Sequence, residues 1–197
     1  MNFDAQRHAL RGGLMLMFRR NEAAIAAYRD ALAVQPEMLK ALRTLGFLLA
    51  EKKDYGGAEA MLARATELAP SDAGTWFNLG YVRDKAGLRP SAIDAFQRAI
   101  ELNAKLDRAW YGLGMAHAAL GQNEEAAKAL EEAATLQGMN GHAWYALGMA
   151  HHHCHRPDKV KDIAEHMARF DPQLAKKLIQ EAERADLMHL VAHLESF

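Results

Sequence analysis

Trp76-Phe77-Asn78-Leu79-Gly80 returns 34 residues later as Trp110-Tyr111-Gly112-Leu113-Gly114, and once more as Trp144-Tyr145-Ala146-Leu147-Gly148. The interval reaches upstream too, because Leu45 and Gly46 precede Leu79 and Gly80 by the same distance. Further tracks share it: Ala24, Ala58, Ala92 and Ala126, then Ala31, Ala65, Ala99 and Ala133, with Pro36 and Pro70 closing two units. So many tracks at one interval mark an internal repeat, and a period of a few tens of residues points to a repeat architecture.

Each half of the unit is spaced as a helix. Trp76, Leu79, Gly80 and Arg83 fall at i, i+3, i+4 and i+7 and form one stripe. Ala92, Phe96, Ala99 and Ile100 form the stripe of a second helix, and Gly87 and Pro90 break the chain between the two. Small residues stand where the helices cross most closely, and the large aromatic fills the gap beside them. One such hairpin cannot bury its apolar stripe alone, so neighbours must stack.

With its W-x2-L-G signature followed by Ala, an aromatic and Ala at set offsets, the chain resembles the tetratricopeptide-repeat (TPR) family. In the third unit the matching residues are Trp76, Leu79, Gly80, Ala92, Phe96 and Ala99. The resemblance implies an all-α fold, a right-handed superhelical solenoid of antiparallel helix pairs. Its five units run 5–38, 39–72, 73–106, 107–140 and 141–174, an array over 1–174 with a C-terminal capping helix over 175–197.

The ends depart from the pattern. His8 and Arg11 replace the stripe Trp and Leu, polar choices expected where no earlier repeat needs packing. Val160 and Met167 replace two alanines, which predicts a looser fifth hairpin. Asp171-Pro172 reads as a helix cap and first-turn proline. Beyond it, 173–195 reads as one amphipathic helix with Leu174, Leu178, Ala182 and Ala185 on its apolar stripe.

Composition narrows the functions. Apolar residues make up 50% of the chain and charged ones 25%, as in foldable globular proteins. The 24 Lys and Arg nearly balance the 25 Asp and Glu, so no global field favours nucleic acid or an anionic membrane. Cys154 stands alone and can form no intramolecular disulfide. The apolar run Leu14–Phe18 is short for a signal peptide, and no stretch is long enough to span a membrane. A cytoplasmic protein is expected.

In TPR proteins the first helix of each pair lines the concave side, and the resemblance selects its residues here. They include Lys40, Arg43 and Phe47, then Phe77, Tyr81 and Lys85, then Arg108, Tyr111 and Met115, and finally His142, Tyr145, Met149, His152 and His153. Leu16 and Met17 come from the first unit. Aromatics, Met and Arg are the types enriched where proteins meet proteins. A groove for a partner peptide or helix is therefore expected, against the alternative that these side chains pack on the next repeat. Lys40, Asn78 and Arg108 also match positions of the carboxylate clamp of some TPR proteins, although Thr44 and Gly112 depart from it.

His151-His152-His153-Cys154-His155 places His151 and His155 at i, i+4, a spacing that can present metal ligands. His151 shares its repeat position with His117, however, and His155 falls in the hairpin turn, so a polar helix end is the stronger reading and no metal or cofactor is expected. No phosphate loop or nucleophile constellation assembles, so no catalytic residue is assigned and the chain is read as a non-enzyme. Three functions remain: an adaptor or chaperone-like module binding a protein segment, a scaffold that self-assembles through terminal helices (Leu14–Phe18 and Leu187–Leu194), and a His-rich metal-responsive binder.

Overall fold

A computed structural model describes residues 3–195; residues 1–2 and 196–197, the outer ends of the expected array and cap, lie outside the described residues. Among the described residues the regular structure is helical, without a strand. The chain forms two compact units, one ending at Asn103 and the other beginning at Ala104. The first holds α1 (Phe3–Met17), α2 (Asn21–Val34), α3 (Leu39–Glu51), α4 (Tyr55–Leu68), α5 (Ala73–Lys85) and α6 (Arg89–Leu102). In the second are α7 (Asp107–Ala119), α8 (Asn123–Leu136), α9 (Gly141–His153), α10 (Pro157–Met167), α11 (Pro172–Glu181) and a closing 3-10 helix, Ala185–Glu195.

Within each unit the helices pair in chain order, α1 on α2, α3 on α4 and α5 on α6, then α7 on α8 and α9 on α10. The pairing rests on a repeated close approach. A Cβ built on Gly12, Gly46, Gly80 or Gly114 would lie 2.8, 2.7, 2.7 or 2.5 Å from Tyr28, Leu62, Phe96 or Leu130 respectively. Each large side chain lies over the bare backbone of its glycine, and all four large residues are buried. Burying one stabilises the hairpin by about 1.5–3 kcal/mol.

The tryptophans serve the joints between hairpins. Trp76, Trp110 and Trp144 donate Nε1–H to the carbonyls of Pro70, Ala104 and Gly138 at 3.0, 2.9 and 2.8 Å. Each bond ties the first helix of a hairpin to the loop that enters it, and leaves the indole face for packing. The hairpin turns repeat as well: Arg19, Lys53, Gly87, Gly121 and His155 all have positive φ, between 55° and 81°. Glycine relieves the left-handed strain in two of the five turns.

The C-terminal segment differs from the expected single helix over 173–195. Asp171 does cap α11, its side chain accepting from Leu174 N–H at 3.1 Å, with Pro172 in the first turn. Helix α11 stops at Glu181, and Glu183 turns the chain at φ 55°. Arg184 then binds the Pro157 carbonyl at 2.6 Å and Asp186 at 2.8 Å, drawing the chain back toward α10. This return buries Leu187 and Val191 in the second core. Burial of the apolar tail is the physical reason for the break: a straight helix would carry those residues away from the hairpin.

The fifth hairpin carries Ala164 sixteen residues after Gly148, where the other units carry a large residue. Leu178 of α11 takes that place, 2.6 Å from a Cβ on Gly148. Val160 and Met167 are fully buried in the same core, so the gap expected there is filled.

Candidate functional site

Eight of the residues selected for binding line two grooves, one in each unit: Lys40, Arg43, Phe47 and Asn78 in the first, and Tyr111, Met115, Tyr145 and Met149 in the second. In the first unit Leu39, Lys40, Arg43, Thr44 and Phe47 of α3, with Asn78 of α5, line a groove of about 470 Å³. The residues share it because 40, 43, 44 and 47 lie on one helical face. Lys40 is exposed, and Phe47 is 56% exposed, so a large ring forms one wall without a core partner.

Arg43 is held by Asp72, Nη1 to Oδ2 at 3.0 Å. Asp72 also caps α5, accepting from Gly74 N–H at 3.1 Å and from the Thr75 hydroxyl at 2.6 Å. Burial pushes its carboxyl upward, but Thr75, the Arg43 charge and the backbone amides of Gly74 and Thr75 outweigh that and hold it below the usual range. Asp72 was not among the residues selected from sequence. Its place before a helical run is a cap signal, yet its bond to Arg43 crosses between hairpins.

Phe77 and Tyr81 divide in role. Phe77 is half-buried with its ring 6.0 Å from Phe96, so much of it serves the hairpin's own core. Tyr81 is 45% exposed with Lys85 Nζ 5.5 Å from its ring centre. Neither lines the groove around Phe47.

In the second unit Tyr111 and Met115 of α7 meet Tyr145 and Met149 of α9 around a groove of about 340 Å³. His142 and His153 of α9 and Asn123 of α8 supply its polar edge. Burial pushes the Tyr111 hydroxyl up. Tyr145 donates its O–H to Glu181 of α11, and Lys177 Nζ lies 4.8 Å from its ring centre. Burial and the Glu181 carboxylate together push Tyr145 up to about 12. Nothing in the sequence points to this latch: Lys177 and Glu181 lie in the amphipathic helix expected over 173–195, off its apolar stripe. Arg108 is exposed on α7 and is not part of this lining. Of the clamp residues, the structure brings Lys40 and Asn78 to one groove.

The histidine run points in several directions. His151 is buried and lines a cleft of about 300 Å³ with Trp144, Lys159 and His166, whereas His153 edges the other groove and His155 is in the exposed turn. In the preceding unit His117 Nδ1 meets Gln122 Oε1 at 2.7 Å. One interval on, Arg156 occupies the glutamine position and reaches Glu124 at 2.7 Å, so His151 Nδ1 has no hydrogen-bond partner. Among the described residues no group of three His, Cys, Asp or Glu is placed to hold a metal ion. No described helix is long and apolar enough to cross a membrane.

Comparison with known proteins bears on this geometry. Two models, each described as tetratricopeptide repeat, match the chain, one at residues 77–137 and 111–159 and the other at 15–79. Tetratricopeptide repeat protein 7A of Homo sapiens is 30% identical over 95 residues, 48% of this chain but only 11% of that much longer protein. Among solved structures, MamA superposes with a TM-score of 0.79 at 23% identity, over 95% of this chain and 98% of its own. YrrB, described as a TPR protein with an unusual peptide-binding site, gives 0.79 at 23% over 90% and 92%. A structure of pilF from Pseudomonas aeruginosa gives 0.73 at 20% over 90% and 82%. At these identities the likeness concerns the fold.

Proposed function

The chain belongs to the tetratricopeptide-repeat family of protein–protein interaction modules, and from that premise we propose that it is an adaptor, each of whose two grooves grips a segment of a partner protein. The observation that carries this reading is the content of the grooves. Phe47 stands beside Lys40 in one, and Tyr111, Met115, Tyr145 and Met149 surround the other. Phe47 and Met115 are exposed, whereas Tyr111, Tyr145 and Met149 pack against the second core with part of each side chain open to the groove. Large amphipathic side chains so placed mark binding surfaces, and Met accommodates varied partners. The first groove suits a carboxylate next to an apolar side chain: Lys40 offers charge, Asn78 an amide and Phe47 a ring. Apolar or aromatic side chains suit the second. YrrB offers a precedent for peptide binding by this fold.

The test is a peptide-display selection on the immobilised chain, with affinities of the selected peptides measured for two double variants. Lys40→Ala/Phe47→Ala and Tyr111→Ala/Met149→Ala should each weaken binding by about 1–3 kcal/mol, roughly five- to 150-fold. Undiminished binding by both variants would overturn the proposal.

A second reading, self-assembly, is favoured by one observation, the exposed apolar side chains of α1. The expected contribution of the Leu187–Leu194 tail is weakened, since Leu187 and Val191 are buried in their own core.

A further inference from the structure

Helix α1 has two faces. Ala5 and Gly12 are buried on the side that packs on α2, with Ala9, Met15 and Leu16 against the first core. On the opposite side Phe3, Leu10, Leu14 and Met17 stand within an arc of about 60° at roughly 100° per residue. They are 78, 73, 48 and 80% exposed, and Phe18 follows at 66%. A helix ordinarily presents charge on the side away from its core; α1 presents a second apolar stripe.

The interior repeats show what lies along such a stripe. Leu48 of α3 and Val82 of α5 occupy the repeat position of Leu14 and are 2% and 1% exposed. In those repeats α2 packs on α3 and α4 on α5. The position of Leu14 is one that receives a neighbouring helix.

Arg7 restricts which helix fits. It stands where Ala41 and Thr75 recur, both fully buried, so another repeat could not close on α1 at the interior distance without trapping the guanidinium. A second α1 avoids this. Phe3 and Met17 stand seven residues to either side of Leu10, while Leu14 is mirrored by Gln6, whose stem can lie along the leucine with its amide at the edge. Arg7 and Gly13 lie three residues to either side. We propose that α1 is a self-recognition surface on which two copies of this chain pair antiparallel about a two-fold axis at Leu10. Phe3 of one copy meets Met17 of the other, Leu10 meets Leu10, and each Arg7 leaves over the bare backbone of the opposing Gly13.

The area bears on the kind of dimer. At about 150–250 Å² for a large aromatic side chain, with Leu and Met near the lower bound, the exposed fractions sum to on the order of 600 Å² per copy. A stable interface takes about 800 Å² per partner, so this one falls at the small end and the dimer is reversible. The surface does not depend on the grooves.

Sedimentation equilibrium of the full chain across the micromolar range should show a monomer–dimer equilibrium that Leu10→Asp weakens at least about tenfold. In a Cys154→Ser background, Leu10→Cys should form a disulfide-linked dimer under mild oxidation while Met139→Cys, as open to solvent at 75% against 73% but off the axis, should not. A chain monomeric throughout, a dimer indifferent to Leu10→Asp, or equal cross-linking at both positions overturns the proposal. So does a monomer that binds phosphatidylserine vesicles or an acidic amphipathic peptide in a Leu10→Asp-sensitive way, which would assign the stripe to that occupant instead.

Discussion

Leu178 of α11 lies against Gly148 of α9, its Cδ2 2.6 Å from where a glycine Cβ would be, although Leu178 lies beyond the repeat that holds Gly148. In the preceding hairpins the glycine is covered by a residue sixteen positions on, from the hairpin's own second helix. At the last hairpin that residue is Ala164, and the cover comes from outside. Helix α11 is therefore part of the second core and not only a solvent-facing lid. Leu178→Ala should destabilise this unit by about 2–5 kcal/mol, the range for deleting a buried leucine, and Leu130→Ala should cost a similar amount. Urea denaturation of the two variants makes the comparison. A loss below about 1 kcal/mol for Leu178→Ala would show that α10 closes the hairpin alone.

The turns offer a paired test. Lys53 and Gly87 hold the same place in successive hairpins, at φ 62° and 81°. Glycine relieves left-handed strain at the expense of unfolded-state entropy, so Lys53→Gly should range from neutral to about 1 kcal/mol stabilising. Gly87→Ala loses that relief and should destabilise by about 1–2 kcal/mol. Opposite signs in thermal melts support the shared geometry.

The hairpins were legible because their determinants are local and periodic: Gly80 and Phe96 sit sixteen residues apart in one unit, and Trp76 bonds a carbonyl six residues back. Leu178 was legible as an apolar residue of a terminal helix, but nothing in its spacing says which void it fills. The break at Glu183 carries no glycine or proline and follows from the burial of Leu187 and Val191 far along the chain. Among the site residues, Phe47 and Tyr111 each line a groove, while Phe77 is drawn toward Phe96. A helical register reports the direction a side chain takes, not what it touches.

Asp72 joins stability to the first groove. Its lowered pKa means that its contribution is full above the unfolded carboxylate value, about 4, and is lost as pH falls through the lower folded value. Asp72→Ala should cost about 1–2 kcal/mol through the lost cap and flatten that acid dependence. Removing Asp72 also frees Arg43 from its tether, so nuclear magnetic resonance of the Arg43 side chain should show greater mobility.

His151 has the opposite chemistry and the same direction of acid response. Burial, with the Arg156 and Lys159 charges, lowers its pKa against the opposing pull of Glu131 and Glu124, so the folded chain resists protonating it. Below about pH 6.5 the unfolded chain takes up a proton that the folded chain resists. Stability should fall across that range, and His151→Leu should remove the fall. Denaturation midpoints of both proteins at neutral and mildly acidic pH give the answer; parallel losses would assign the acid response to other groups.

Tyr145 carries the latch between the second groove and α11, and its ionisation reports the latch directly. Its hydroxyl donates to Glu181, and its pKa is pushed up to about 12 by burial and that carboxylate. A raised folded pKa means the stabilisation is full below the unfolded tyrosine value, about 10, and is lost as pH rises through the folded one. Ultraviolet titration of the wild type minus Tyr145→Phe should isolate one phenol titrating near 12. In Glu181→Gln the same phenol should ionise at lower pH, because the carboxylate charge is gone while the burial remains. An unchanged titration in Glu181→Gln would mean that the carboxylate charge does not raise the phenol, leaving burial and a hydrogen bond that the glutamine carbonyl can still accept as the causes.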